Sequence, residues 1–225
     1  YHLTIPRPAR PACEAVWQEI DVLRRQLGGD LVYLNPSRHA VLRVPRLLYG
    51  LHRLRELRRR EVTVDLHHLY NPDPYPFPVL RWLNQPIVYT LSAGLRVDKR
   101  PTVSFFGEHV HTLVVASEAD QRRLVTWGLN NVCVVRPGID VTRFTISPLP
   151  LRDEFHLLVG SAPWVKGQFH SKGIYTLLDV AQSWPQLHLV FLWRGVLFDE
   201  MAAQVRRRVL EARVEILNRR VDVNT

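Results

Sequence analysis

The feature that most constrains this chain is an alternation. Short β-branched or leucine-rich runs take turns with segments whose apolar residues recur at helical spacing, and the order repeats nearly end to end. In the first half "LVYLNP", "VTVDLHHLY", "PIVYTLS", "HTLVVAS" and the run Val132 to Val135 read as strands. Between and around them lie a helix from Glu14 to Leu27, carrying Val16, Ile20, Leu23 and Leu27, and a leucine stripe from Val44 to Leu57. A short helix near Val79 to Leu83 and the helix "EADQRRLVTWG" complete the set. Consecutive strands joined through helices must be parallel, because a parallel pair needs a long crossover. The spacing therefore predicts α/β architecture with helices on both faces of a parallel sheet.

Punctuation supports this order. Gly28-Gly29 and Gly128 stand where helices should stop, and Ser117, with Asp120 three residues on, is placed to cap the helix it precedes. After the proline-bearing linker "TISPLPLRDEF" the alternation resumes as strand "HLLVG", helix "KGIYTLLDVAQSW", strand "LHLVFLW", helix "DEMAAQVRRRVLEA" and strand "VEIL". This divides the chain into a first domain over residues 1–148 and a second, partial domain of similar kind over residues 149–225.

Composition removes several function classes. Cys13 and Cys133 lack the spacing of a disulfide framework or metal site and suggest a reducing, cytoplasmic setting. His109 and His111 alternate before a strand without further ligands, so no metal is expected, and there is no P-loop, nucleophile elbow or Gly-x-Gly-x-x-Gly. No apolar run approaches the roughly 20 residues of a membrane span, and the start "YHLTIPRPARP" lacks the charged and apolar regions of a signal peptide. The net charge of +9 rests on arginine, since Lys99, Lys166 and Lys172 are the only lysines. Arginine favours planar recognition of phosphate or carboxylate. No nucleic-acid reading element accompanies the charge.

The most informative corner is "VVRPGIDVTRF". Pro137-Gly138 ends a strand, Gly138 allows close approach of a ligand, and Asp140 is placed to cap a turn carrying Arg143 and Phe144. Together, "VVASEADQRRLVTWGLNNVCVVRPGIDVTRF" and "LLVGSAPWVKGQFHSKGIYTLLDVA" resemble the retaining, nucleotide-sugar-dependent glycosyltransferases of the family 4 type. The resemblance implies a GT-B fold of two Rossmann-like domains, the acceptor held by the first and the donor by the second across a cleft. It implies no cofactor beyond the nucleotide-sugar donor, and a carbohydrate or lipid-linked acceptor.

The family's second domain opens with Gly-Arg and then a Lys-Gly at a helix start, whose cations grip the diphosphate. Here Ser161 follows Gly160. Lys166-Gly167 keeps the family's spacing while Lys172-Gly173 keeps its following sequence, so Lys172 is preferred as the diphosphate ligand and Lys166 stands second, with "GQFHSK" as an apparent insertion. Arg194 and Gly138 join them as donor-binding residues. In "DLHHLYNPDPYP" the resemblance makes His68 an acceptor-side residue at a strand end facing the cleft, and His68 and Lys172 are thus the catalytic candidates. Serine replaces the family's polar group at Ser92, although Ser92, Ala93 and Gly94 still offer backbone donors. The family's glycine-rich first loop is replaced by "TIPRPARPACEA", whose prolines donate nothing, leaving Arg7 and Arg10 to compensate.

No two glutamates stand eight residues apart, as the family's donor domain has them. The resemblance therefore implies a partial donor domain and little transfer activity from these 225 residues alone. A competing expectation is a non-catalytic basic module of the same fold that binds an anionic membrane or a phosphorylated partner. It is favoured by the missing arginine and the missing glutamate pair, whereas Arg43, Arg46, Arg53 and Arg60 flanking the leucine stripe suit peripheral contact with anionic lipid, as an enzyme acting on lipid-linked acceptors would make.

Overall fold

The computed structural model describes residues 1–5, 15–36, 44–95, 100–138, 154–160, 162–163, 165–193 and 197–218. The chain divides into two compact units, Tyr1–Gly138 and Ile139–Thr225. The boundary expected between residues 148 and 149 lies outside the described residues.

The first unit runs β1 (His2–Leu3), α1 (Ala15–Leu27), β2 (Val32–Tyr33), α2 (Leu54–Arg60), β3 (His67–Asn71), β4 (Ile87–Leu91), α3 (Val103–His109), β5 (Thr112–Val115), α4 (Glu118–Thr126) and β6 (Val132–Val134). Its strands form one six-stranded sheet in the order β2-β1-β3-β4-β5-β6. Every pair is parallel, with Asn71 beside Leu91 and Val114 beside Cys133. Both faces are covered. Leu69, Tyr89 and Leu113 are fully buried in one cluster with Phe77 and Phe106, while Tyr70 packs with Leu3 and Ile20 of α1 in another. Burying a leucine or phenylalanine contributes about 1.5–3 kcal/mol each, and neighbouring residues of β3 supply opposite faces because side chains alternate along a strand.

The helix α4 forms as its punctuation predicts. Ser117 Oγ accepts from Asp120 N at 3.2 Å, and Gly128 takes φ 96° just past the last turn. Elsewhere the local pattern misleads. The leucine stripe over 44–57 is not one helix: 3₁₀ turns at Arg46–Leu48 and Leu51–Arg53 precede α2. Gly50 separates them at φ 79°, in a space where a Cβ would meet Val79 Cγ1 at 2.9 Å. The strand expected from "VTVDLHHLY" begins only at His67, because Glu61–Thr63 is a 3₁₀ turn. That turn folds Glu61 inward and leaves Val62 87% exposed. The helix near Val79 is likewise 3₁₀, over Pro78–Trp82. Two elements, β1 and α3, carry too little periodicity in two and seven residues to announce themselves.

The second unit contains β7 (Phe155–Val159), α5 (Gln168–Ser171), α6 (Ile174–Ser183), β8 (Leu187–Leu192), α7 (Phe198–Arg207) and β9 (Val214–Leu217). The strands are parallel in the order β7-β8-β9. Phe169, Leu178, Leu189, Phe191, Trp193 and Met201 make its core. The segment "GQFHSK" is therefore no idle insertion, since its Phe169 is fully buried. Among the described residues no helix is long and apolar enough to cross a membrane.

Candidate functional site

In an open parallel sheet the carboxyl ends of all strands lie along one edge, where backbone groups no longer pair and helix amino-termini converge. In the first unit this edge is built from Thr4 after β1, Asn71 and Asp73 at the end of β3, and Ser92 to Gly94 after β4. Asn71 is 1% exposed. Its Nδ2 donates to Asp73 Oδ1 at 2.8 Å, and Thr4 Oγ1 donates to Asn71 Oδ1. Arg46 closes the group: Nη1 donates to Asp73 Oδ1's partner oxygen, Oδ2, at 2.9 Å, and Nη2 contacts Oδ1, so the fork is bidentate. The guanidinium also lies 4.2 Å from the centre of the Tyr75 ring. Tyr89 Oη donates to the Asp73 carbonyl at 3.0 Å, and Ser92 N donates to Asn71 O at 3.0 Å. The result is a rigid polar edge with a partly exposed carboxylate and an exposed turn at Ser92 and Ala93, chemistry suited to hydroxyl groups.

His68 is not at this edge. It is the second residue of β3, three positions before the strand's end, with Nε2 2.8 Å from Thr90 Oγ1 and its ring stacked 4.4 Å from Tyr70. Burial first, and the amino-terminal ammonium second, push its pKa down to about 4. The expected strand-end position is corrected by the bounds of β3, which set His68 inside the strand. The residues missed were Thr4, Arg46, Asn71 and Asp73. Their one local signal is the turn "NPDP" directly after a strand, which puts an acid at the sheet's carboxyl edge; nothing local pairs Arg46 with Asp73, 27 residues away.

In the second unit Lys172 ends the short helix α5 and, as expected, stands with Gly173 at the start of α6. Gly173 follows at φ 67° as the cap of α6. The Lys172 side chain reaches back so that Nζ donates to the Ala162 carbonyl at 3.1 Å, in the segment that leaves the carboxyl end of β7. Half-buried Lys172 and the amino-terminus of α6 are thus neighbours at the carboxyl end of this sheet, an arrangement that favours anions. Lys166 is 79% exposed and sits 3.7 Å from Glu200 in the first turn of α7. Gly138, the last described residue of the Pro137 corner, is exposed, with nothing within 4 Å of a Cβ and no left-handed φ. Arg7, Arg10, Arg43, Asp140, Arg143, Phe144, Ser161 and Arg194 lie outside the described residues. Among the described residues no group of histidine, cysteine and acidic side chains is arranged to hold a metal.

Two parallel Rossmann-like sheets with these edges decide the fold class. The architecture is GT-B-like. Anabaena HepE, solved with UDP and glucose, is similar at a TM-score of 0.62 and 18% identity, over 99% of this chain and 70% of that one. Staphylococcus aureus MnaA, solved with UDP, is similar at 0.61 and 13% identity, over 99% of this chain and 69% of that one. A glycosyltransferase from Rickettsia africae is similar at 0.57 and 10% identity, over 99% and 69%. At such identities the likeness is one of fold. No family model matches the chain, and no curated protein matches it in sequence.

Proposed function

We propose that the chain is a glycosyltransferase, or the larger part of one, that transfers a sugar from a nucleotide-diphosphate donor to a carbohydrate or lipid-linked acceptor with retention, in the manner of family 4. The observation that carries the reading is Lys172, held by the Ala162 carbonyl beside the amino-terminus of α6 within a fold shared with two UDP-bound proteins. Cleavage of the bond between the sugar's anomeric carbon and the diphosphate builds negative charge on the departing oxygens. A fixed ammonium and helix N–H groups stabilise that charge without reorganising. In this reading Lys172 grips the diphosphate, with Lys166, Arg194 and Gly138 as further donor-side residues. The Asn71–Asp73 edge, rather than His68, meets the acceptor.

A second reading, a basic module resting on anionic lipid, has an observation of its own. Arg46, Arg53 and Arg60, which the sequence suggested for this role, are engaged in ion pairs with Asp73, Glu56 and Asp30. The exposed face of α2 instead carries Arg55, Arg58 and Arg59, followed by exposed Val62.

Calorimetric titration with UDP and GDP tests the first reading. Saturable binding is expected, weakened about tenfold or more by Lys172→Ala, as loss of a charged hydrogen bond implies, and less by Lys166→Ala. Equal affinity in Lys172→Ala defeats the residue assignment. Absence of any nucleoside diphosphate binding, together with sedimentation on anionic vesicles, transfers the case to the second reading.

A further inference from the structure

A concavity of about 660 Å³ in the first unit lies at the amino-terminal end of its sheet, where β4, β5 and β6 begin. This is the end opposite to the Asn71–Asp73 edge. Its size falls within the roughly 300–1,000 Å³ usual for ligand pockets. Leu80, Leu83, Ile87 and Leu129 give it apolar patches, and Asn84, Glu108, His109, His111, Asn130 and Asn131 give it polar walls. The charge balance is unusual for this chain. With 30 lysines and arginines in the sequence, none lines this concavity among the described residues.

The walls are held in place by groups with no other evident task. Glu61 is 8% exposed, and its carboxylate accepts from Asn84 N at 2.5 Å, Asn84 Nδ2 at 3.1 Å and Gln85 N at 3.3 Å. The same carboxylate lies 3.2 Å from His67 Nε2, and His67 Nδ1 lies 2.9 Å from His2 Nε2. Burying a carboxylate is costly unless it is fully bonded. Here three of its bonds fix the Asn84–Gln85 corner that forms one wall. Asn131 Nδ2 donates to Val110 O at 2.6 Å, and His109 is set edge-on to Phe105 at 5.0 Å. Gly107, in α3, leaves open space with nothing within 4 Å of a Cβ.

We infer that this concavity is a second ligand site, for an uncharged oligosaccharide. Amides, imidazoles and one carboxylate offer both donors and acceptors, which is what a sugar's hydroxyls require, and the leucine patches suit its C–H faces. Among the described residues a phosphate or nucleotide would find no lysine or arginine here, and a lipid chain would meet a polar rim. Lying away from the proposed transfer edge, the site would hold a remote part of a glycan. The inference does not depend on the chain being a transferase, because its readout is glycan binding.

The test is titration of the ¹⁵N-labelled full chain with maltotriose, cellotriose, xylotriose and triacetylchitotriose. At least one should give saturable shifts concentrated in residues 84–87, 107–111 and 128–131. Gly107→Tyr, which fills open space on an exposed helical position, should weaken that binding about tenfold or more; UDP titration of the same variant should match that of the parent chain. Asn130→Ala should weaken glycan binding several-fold and guards against a folding defect in the first variant, which retention of the remaining amide spectrum also monitors. The inference falls if none of the four sugars gives saturable shifts, if the shifts gather at Thr4, Asn71–Asp73 and Ser92–Gly94 and survive Gly107→Tyr, or if inorganic phosphate displaces the sugar.

Discussion

Replacing His68 with asparagine should make the first unit less sensitive to acid. A histidine titrates near 6.5 in an unfolded chain, whereas burial beside Tyr70 and, second, the amino-terminal ammonium hold His68 at about 4 in the fold. The folded state thus prefers the neutral ring. Its contribution is complete above about pH 6.5, declines as pH falls, and is exhausted near pH 4. At pH 5 the unfolded chain has taken up a proton that the folded chain still refuses, which costs about 2 kcal/mol. Asparagine keeps a polar partner for Thr90 Oγ1 but does not titrate. Hydrogen exchange of the β3 and β4 amides reads this unit alone. Between pH 8 and pH 5, after correction for intrinsic exchange, protection in the parent chain should fall about 30-fold further than in His68→Asn. His2 and His67, whose pKa values burial also lowers, add acid sensitivity common to both chains and cancel. Identical pH profiles would refute the reasoning, since they would mean that the ring is solvated or charged in the fold.

Two packing predictions accompany it. Gly50→Ala places a Cβ at φ 79° and 2.9 Å from Val79 Cγ1, so it should cost roughly 2 kcal/mol, seen as a lower urea midpoint for the first unit; a neutral outcome would show that the Leu34–Val79 packing around Gly50 yields easily. Phe169→Ala empties a fully buried site between Tyr175 and Trp193 and should cost about 3–5 kcal/mol. The matching observation is loss of protection at the β8 amides, and a cost under about 1 kcal/mol would mean that α5 is peripheral to this core.

What the sequence determined by itself is the rhythm of the chain. The parallel α/β class follows from strand-length apolar runs separated by helical stripes, and the Ser117 cap and the Gly28 and Gly128 stops follow from residues a few positions apart, whose interactions are local. The two-sheet division is legible for the same reason. What only the tertiary structure decided is where polar side chains find partners. His68 looked like a strand-end ligand, yet the register of β3 against β4 sets it against Thr90, 22 residues on. Lys172 stands at the start of α6 as expected, but that it also ends α5 and bonds to the Ala162 carbonyl was not legible. Glu61 carries no local signal of burial, yet Asn84 and Gln85 draw it inside. A periodic pattern reports which side of an element avoids water. It carries no record of which distant group will satisfy a buried charge, because that choice is made only when strands pair and loops close.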